Sequence, residues 1–456
     1  MAFIRDAGRF IVETKIEDLP NEAIRAVKWA IMDCISVSVC GAGDSAGMIA
    51  KKYISDVAAP GPCHVISMSK TTCPTMAAFA NGVMSHILDA DDTEWDWIGH
   101  PSAVIVPTIL AMSEYVDAPG EETLLAYAIG YEIAARIGIV CGSNHYNLGW
   151  HNTSTIGAFA TCAAAARLMK LSLEECEMAL SICASLACGI QGNFGTHTKA
   201  LHAGVAARNG IEAVLLSRNG FEGNLNIFQG LFGFCSLFGA GKEYDINAVT
   251  IAHPFTEEWR IVTPGLVIKP YPCCTSAHPT IDAMRAMKTK HRLSVNQIER
   301  IELETSTEVF ANLACHVPHN DIEAKFSLEY CVARVLLDGD ICIDQFLNNA
   351  SQDKTVQALM RKIIYKQPVV SGFGLPQRIA IFMKDGGVIR TELEMSRAKG
   401  QADNPFTLED LKAKCRGYLN NSLSESEIER FFNAIISLDS GSTIKDVFAS
   451  LQSVGC

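Results

Sequence analysis

Apolar residues recur at three- and four-residue spacing through the chain's first half, the mark of helices with one face turned to a core. Ile24, Val27, Ile31 and Ile35 predict a helix over residues 23–40, behind a turn at Pro20-Asn21. Leu124, Tyr127, Ile129, Ile133 and Ile137 predict another over 123–139. Ser172-Leu-Glu-Glu175 reads as a capping box that opens a third helix, running through Ser181. Alanine-rich stretches at 158–166 and 203–216 suit helices whose backbones approach closely. After Pro264 the texture changes. Arg300-Ile-Glu-Leu-Glu-Thr alternates with period two, and runs at 377–383 and 388–393 flank Asp385-Gly386-Gly387, a hairpin signal. Helix candidates at 279–290 and 326–337 lie between them. From Thr407 the helical period returns, with an N-cap at Thr407-Leu-Glu-Asp410 and apolar positions Ile428, Phe431, Phe432, Ile435 and Ile436 over 426–438. The pattern predicts a mainly α protein with an inserted α+β domain: a helical domain from 1–263 and 401–456, and a smaller domain over 264–400.

Composition narrows the class. At 456 residues and 48% hydrophobic content the chain is long enough for two domains with an extensive interior. A formal net charge of -12 argues against nucleic acid and anionic membrane surfaces as partners, though local lysines can still hold an anionic substrate. The 17 cysteines show no C-x-x-C spacing, and many lie in apolar runs, so reduced thiols and a cytoplasmic location are expected. The N-terminus mixes charge into its apolar residues and lacks a signal-peptide core; no uninterrupted apolar stretch of spanning length is read.

Chemistry-bearing residues concentrate in four segments. His86-Ile-Leu-Asp89-Ala-Asp91-Asp92-Thr93, followed by His100-Pro101-Ser102, packs carboxylates, a hydroxyl and two imidazoles together. Held close and partly desolvated, such groups push one another's pKa values apart, as acid–base work near neutral pH requires. A solvated acidic loop is the plain alternative, and a divalent-cation loop is disfavoured because the spacing lacks the Gly and distal Glu of a calcium loop. The second segment is His145-Tyr146-Asn-Leu-Gly-Trp-His151, before a hydroxyl-rich helix start at Asn152-Thr-Ser-Thr155. The third is Thr196-His197-Thr198-Lys199-Ala-Leu-His202, where a lysine in apolar surroundings needs an anionic ligand or a structural partner. The fourth is Lys269-Pro-Tyr271-Pro-Cys273-Cys274, bordering the expected domain junction. Gly43-Asp-Ser45-Ala-Gly47 matches a nucleophile elbow, but helical sequence precedes it where a sheet is needed. No dinucleotide fingerprint or P-loop occurs.

Together these segments resemble the MmgE/PrpD family, whose members include dehydratases of 2-methylcitrate, decarboxylases of cis-aconitate and epimerases of iminodisuccinate. The motifs are Asp89-Ala-Asp-Asp-Thr93…His100-Pro-Ser, Gly149-Trp-His151-Asn-Thr, Asn193-Phe-Gly-Thr-His-Thr-Lys199-Ala-Leu-His-Ala-Gly, Lys269-Pro-Tyr-Pro-Cys-Cys274 and Lys325-Phe-Ser-Leu-Glu-Tyr-Cys…Leu-Leu-Asp338-Gly. Their order spans nearly the whole chain. The resemblance implies a large helical domain built from both chain ends, a smaller lid domain, a homodimer and no cofactor; no metal site is expected. It places the active-site set on Asp89, Thr93, His100, His151, Lys199 and Lys269. Tyr146, His197, Cys274 and Asp92 are further candidates for substrate binding.

The chain departs from the family pattern at Ala90, where an aromatic residue is usual, and at Cys274 and Phe310, where decarboxylase-like members carry His and Tyr. The insertion Glu94-Trp-Asp-Trp-Ile-Gly99 is expected to bring two indoles and an acidic group to the site's mouth. The leading expectation is a lyase on a citrate-like di- or tricarboxylate, with dehydration ahead of decarboxylation. An epimerase or racemase of a dicarboxylate is the runner-up, and a non-catalytic small-acid binding protein the remote alternative. In the expected mechanism Lys199 and Lys269 hold carboxylates, His151 transfers the proton with His100 opposite, Asp89 orients, and Thr93 donates a hydrogen bond.

Overall fold

A computed structural model describes residues 2–239, 258–372 and 374–454 of the chain. They form two compact units: Met1–Ile87 with Asp91–Leu266 and Leu411–Cys456, and Leu88–Ala90 with Val267–Asp410. The second unit takes in three residues from the middle of the first acidic segment, a detail no periodicity carries.

The first unit is helical. Its helices are α1 (Ala2–Glu13), α2 (Asn21–Gly41), α3 (Ser45–Val57), α4 (Pro74–His86), α5 (Pro101–Val116), α6 (Gly120–Asn147), α7 (Asn152–Thr155), α8 (Gly157–Leu168), α9 (Leu173–Leu186) and α10 (His197–Arg218). The boundaries follow local rules: Ser172 and Glu175 close the capping box that starts α9, and Pro74 and Pro101 occupy first turns that need no N–H. Helix α5 is apolar on every side and buried from Pro101 through Glu114, so it forms the unit's centre. Helices α4 and α10 cross so closely that a Cβ on Gly82 would reach 2.8 Å from the Gly204 backbone. A Cβ on Gly204 would reach 2.4 Å from the Phe79 carbonyl oxygen, so both positions need glycine. The C-terminal segment joins the same core: Glu425–Ile436 packs on α2, Ile444–Ser450 on α5, and Lys414 meets the buried Asp33 of α2 at 2.6 Å.

Two local expectations change. Gly120–Cys141 of α6 is long and apolar enough to cross a membrane by length and composition, but 89% of its apolar window is buried within the protein. Glu132 inside that stretch accepts the Ile261 N–H at 3.1 Å, which marks α6 as a core helix. The Trp97 indole does not stand at a mouth. It is fully buried against α6, where a Cβ on Gly138 would fall 2.2 Å from the Trp97 Cβ, while Asp96 is bound by Arg260 through two 2.7 Å hydrogen bonds. Residues 35–39 lie inside α2, in keeping with the helix expected over 23–40, so Ser45 starts a helix with no strand before it.

The second unit is α+β. Strands β1 (Ile298–Glu304), β2 (Ile363–Tyr365), β3 (Gln377–Met383) and β4 (Val388–Leu393) form a sheet in the order β2-β1-β3-β4, with β1 parallel to β2 and the other pairs antiparallel. Gly386, at φ 88, makes the turn between β3 and β4 that the Asp-Gly-Gly triplet predicts. Ile298, Ile301 and Leu303 of β1 and Ile379 and Ile381 of β3 share a core with helices His278–His291 and Leu328–Asp338.

Candidate active site

Two helix ends frame a buried carboxylate in the helical unit. His86 is the last residue of α4, and His100 is the N-cap of α5, held extended before Pro101. Asp91 lies between them, its Oδ2 at 2.9 Å from His86 Nδ1 and 3.0 Å from His100 Nδ1. His100 Nδ1 also faces the Asp92 carbonyl oxygen at 2.9 Å. A ring nitrogen facing two acceptors must carry the hydrogen, so His100 turns its Nε2 away from Asp91. Burial alone would raise the Asp91 carboxyl, but the His86 and His100 imidazoles outweigh it and hold Asp91 well below the usual carboxylate range. Asp91 is therefore ionised. Its Oδ1 is buried and has no hydrogen-bond partner among the described residues, as is Thr93 Oγ1.

A second pair of imidazoles adjoins the first. His151, N-cap of α7, is fixed by its N–H to the Gly189 carbonyl at 3.1 Å. Its ring stacks on His86 at 5.7 Å between centroids and takes the edge of Phe194 at 4.9 Å. His151 Nδ1 is 3.0 Å from His202 Nδ1. His202 follows Lys199 by three residues on α10, so both project from one face of that helix. Lys199 is buried, with its Nζ 5.5 Å from the Phe194 ring centre. Burial, then the cationic potential of His86 and Lys199, pushes His202 down to about 4. Burial and the same neighbours, with His202 and His100, push His151 well below the usual imidazole value. Both rings are neutral at physiological pH. Two neutral rings joined Nδ1 to Nδ1 share one hydrogen.

The structure therefore gathers His100, His151 and Lys199 from the expected set, and adds His86, Asp91 and His202. Two expected residues point elsewhere. Asp92 turns into the core, where its Oδ1 accepts the Ser102 N–H at 3.0 Å and its Oδ2 bonds the Ser102 hydroxyl, itself 2.7 Å from the Tyr127 hydroxyl. Its carboxyl oxygens are engaged by the first turn of α5. His197 is exposed, its Nε2 3.0 Å from the Ser45 hydroxyl, because it starts α10 on the outer side of the turn from Lys199. Tyr146 ends α6, where its carbonyl accepts Gln191 Nε2 at 2.7 Å. His145 is structural: Nδ1 donates to the Phe238 carbonyl at 3.0 Å, Nε2 accepts from Thr155 at 2.6 Å, and burial pushes its pKa down to about 4.

In the second unit Lys269 and Asp89 are paired. Lys269 Nζ donates to the Asp89 carbonyl at 2.9 Å and lies 3.3 Å from its carboxylate, with both side chains almost wholly buried. Asp89 holds a left-handed backbone, φ 53, that presents both oxygens to the lysine. Cys274 is half-buried, its N–H on the Lys325 carbonyl at 3.0 Å.

His86, Asp91 and His100 bring atoms of metal-ligand type within 4.8 Å of one another. Of these atoms, His86 Nδ1, His100 Nδ1 and Asp91 Oδ2 already face one another, and an imidazole nitrogen that carries a hydrogen would have to lose it to ligate. The arrangement of ionised carboxylate, neutral imidazoles and buried ammonium can hold a carboxylate and move a proton.

Comparison with known proteins agrees in extent. The chain is 28% identical to the cis-aconitate decarboxylase of Mus musculus over 447 residues, 93% of this chain and 88% of the relative. It is 27% identical to the cis-aconitate decarboxylase of Homo sapiens over 440 residues, 93% and 89% of the two chains. The cis-aconitate decarboxylase-like protein oryM of Aspergillus oryzae is 26% identical over 470 residues, 97% and 96%. The MmgE/PrpD N-terminal domain matches residues 5–247 and the MmgE/PrpD C-terminal domain residues 271–440, so this chain belongs to the MmgE/PrpD family.

Proposed function

We propose that this protein is a lyase acting on a citrate-like di- or tricarboxylate, and that decarboxylation of a cis-aconitate-like substrate is its reaction. The observation that carries the reading is the neutral His151–His202 pair beside buried Lys199 and the His86–Asp91–His100 array. Loss of CO₂ leaves an electron pair on carbon, delocalised toward a remaining carboxylate. The reaction then needs a fixed cation for the carboxylates and a proton for the carbon. Lys199 supplies the first and His151 the second. His100, its Nδ1 committed to Asp91 and the Asp92 carbonyl, offers Nε2 as a second proton-handling atom. The relatives' names favour decarboxylation over the dehydration that the sequence departures put first.

The test is incubation with cis-aconitate, citrate and 2-methylcitrate in D₂O, followed by NMR and mass spectrometry. The expected product from cis-aconitate has lost CO₂ and gained one solvent deuterium on carbon. Deuterium at a retained carbon with no loss of CO₂ or water would make the protein an epimerase instead. His151→Ala should lower kcat by about 10²–10⁴-fold, the usual share of a general acid.

A further inference from the structure

His202 lies outside the active-site set expected from the sequence, yet its ring makes the hydrogen bond that decides what His151 can do. We propose that His202 is a positioning residue that switches His151 between proton donor and proton acceptor by moving the single hydrogen shared by their Nδ1 atoms. The proposal rests on the lyase reading above and deepens it.

The geometry leaves two arrangements. When His202 Nδ1 carries the shared hydrogen, it donates to His151 Nδ1 across 3.0 Å and His151 holds its own hydrogen on Nε2, as an acid. When His151 Nδ1 carries it, His151 Nε2 is bare, a base. A neutral imidazole that merely gave up Nε2–H would become an anion, which is unfavourable in a buried site. His202 removes that obstacle.

In the proposed step the carbon–carboxylate bond breaks, CO₂ departs, and the electron pair stays on the substrate. The carbon takes the hydrogen from His151 Nε2, His151 Nδ1 takes the hydrogen from His202 Nδ1, and His202 Nε2 takes a proton from solvent. Both rings begin and end neutral. When product leaves and water enters, His151 Nε2 regains a proton, the shared hydrogen passes back from His151 Nδ1 to His202 Nδ1, and His202 Nε2 returns its proton to solvent.

The surroundings suit a neutral pair. His151 faces His86 from α4, His100 from α5, and Lys199 and His202 from α10; His202 faces His86 and Lys199. Among the described residues no carboxylate pairs with either ring, in contrast to His86 and His100 on Asp91. The Ser154 hydroxyl donates to the His202 backbone carbonyl at 3.2 Å, and Gly189 packs so near that a Cβ there would come 3.4 Å from the ring.

His202→Gln tests the switch, because an amide can donate to His151 Nδ1 but cannot give its hydrogen up. With cis-aconitate and the full chain, the variant should keep KM within about twofold while kcat falls about 10²-fold, a loss of general-acid size. A single-turnover proton inventory in H₂O–D₂O mixtures should be curved for wild type, with two hydrogens moving together, and linear for the variant. A His202→Gln kcat within about twofold of wild type would overturn the switch. So would a linear wild-type inventory, which needs no variant and decides the matter even if His202→Gln fails to fold. Wild type that releases no CO₂ from cis-aconitate would instead overturn the decarboxylation reading.

Discussion

Asp91 and Asp92 are neighbours in sequence, equally buried, and opposite in electrostatic state. Asp91 faces two imidazoles and is held ionised; Asp92 faces the Ser102 hydroxyl, itself bonded to Tyr127, and burial pushes it up to about 8. One backbone step separates a carboxylate among imidazoles from a carboxyl among hydroxyls. The lesson is that partner type, not burial, sets a carboxyl's role: only a cation partner makes the buried charge worth keeping.

The comparison breaks most directly by substitution. Asp91→Asn should lower kcat by at least about 10²-fold, because His86 and His100 lose the acceptor that fixes their Nδ1 hydrogens. Asp92→Asn copies the protonated acid and should leave kcat within about threefold. Equal losses in steady-state assays of the two variants would erase the distinction. Next in size, Ser102→Ala strips Asp92 of its hydroxyl partner and should cost about 1–3 kcal/mol in denaturant unfolding with kcat kept.

The pH dependence sharpens the same contrast. The native state keeps a proton on Asp92 up to about 8 that an unfolded chain sheds near the ordinary carboxylate value of about 4. Stability from this group therefore falls as pH rises through that window, and Asp92→Asn should flatten the fall in Tm. His145 and His202 act at the other end: their native values near 4 lie below an unfolded value of about 6.5, so stability is lost as pH falls between them. The smallest effect is expected at His197. His197→Ala on the exposed surface should change stability by less than about 0.5 kcal/mol and leave kcat within about twofold.

Much of the fold was legible. The hairpin strands Gln377–Met383 and Val388–Leu393 occupy the residues that alternation and the Asp-Gly-Gly turn mark out. Helices α2, α6 and α9 enclose their periodic residues and run a few residues beyond, as helix ends depend on caps more than on period. The site was legible in its chemistry and less so in its membership. His100, His151 and Lys199 stand together as read, but His197 and His202, five positions apart on one helix, could be told apart only by which side of α10 faces inward. The signal that could have found His202 is its three-residue spacing from Lys199. Trp97 was misplaced for a related reason: in an insertion without periodicity, no pattern reports that an indole turns inward onto Gly138.

The order of apolar and polar residues by itself determined the helices and the inserted α+β segment, because periods of 3.6 and 2 are local properties that burial of one face imposes; the resemblance to the family rested on the motifs. Tertiary structure alone decided which carboxylate meets imidazoles and which meets hydroxyls, and which histidine shares a hydrogen with His151. Those choices depend on side-chain direction in turns and on groups brought together from α4, α5, α7 and α10, and neither is a periodic quantity.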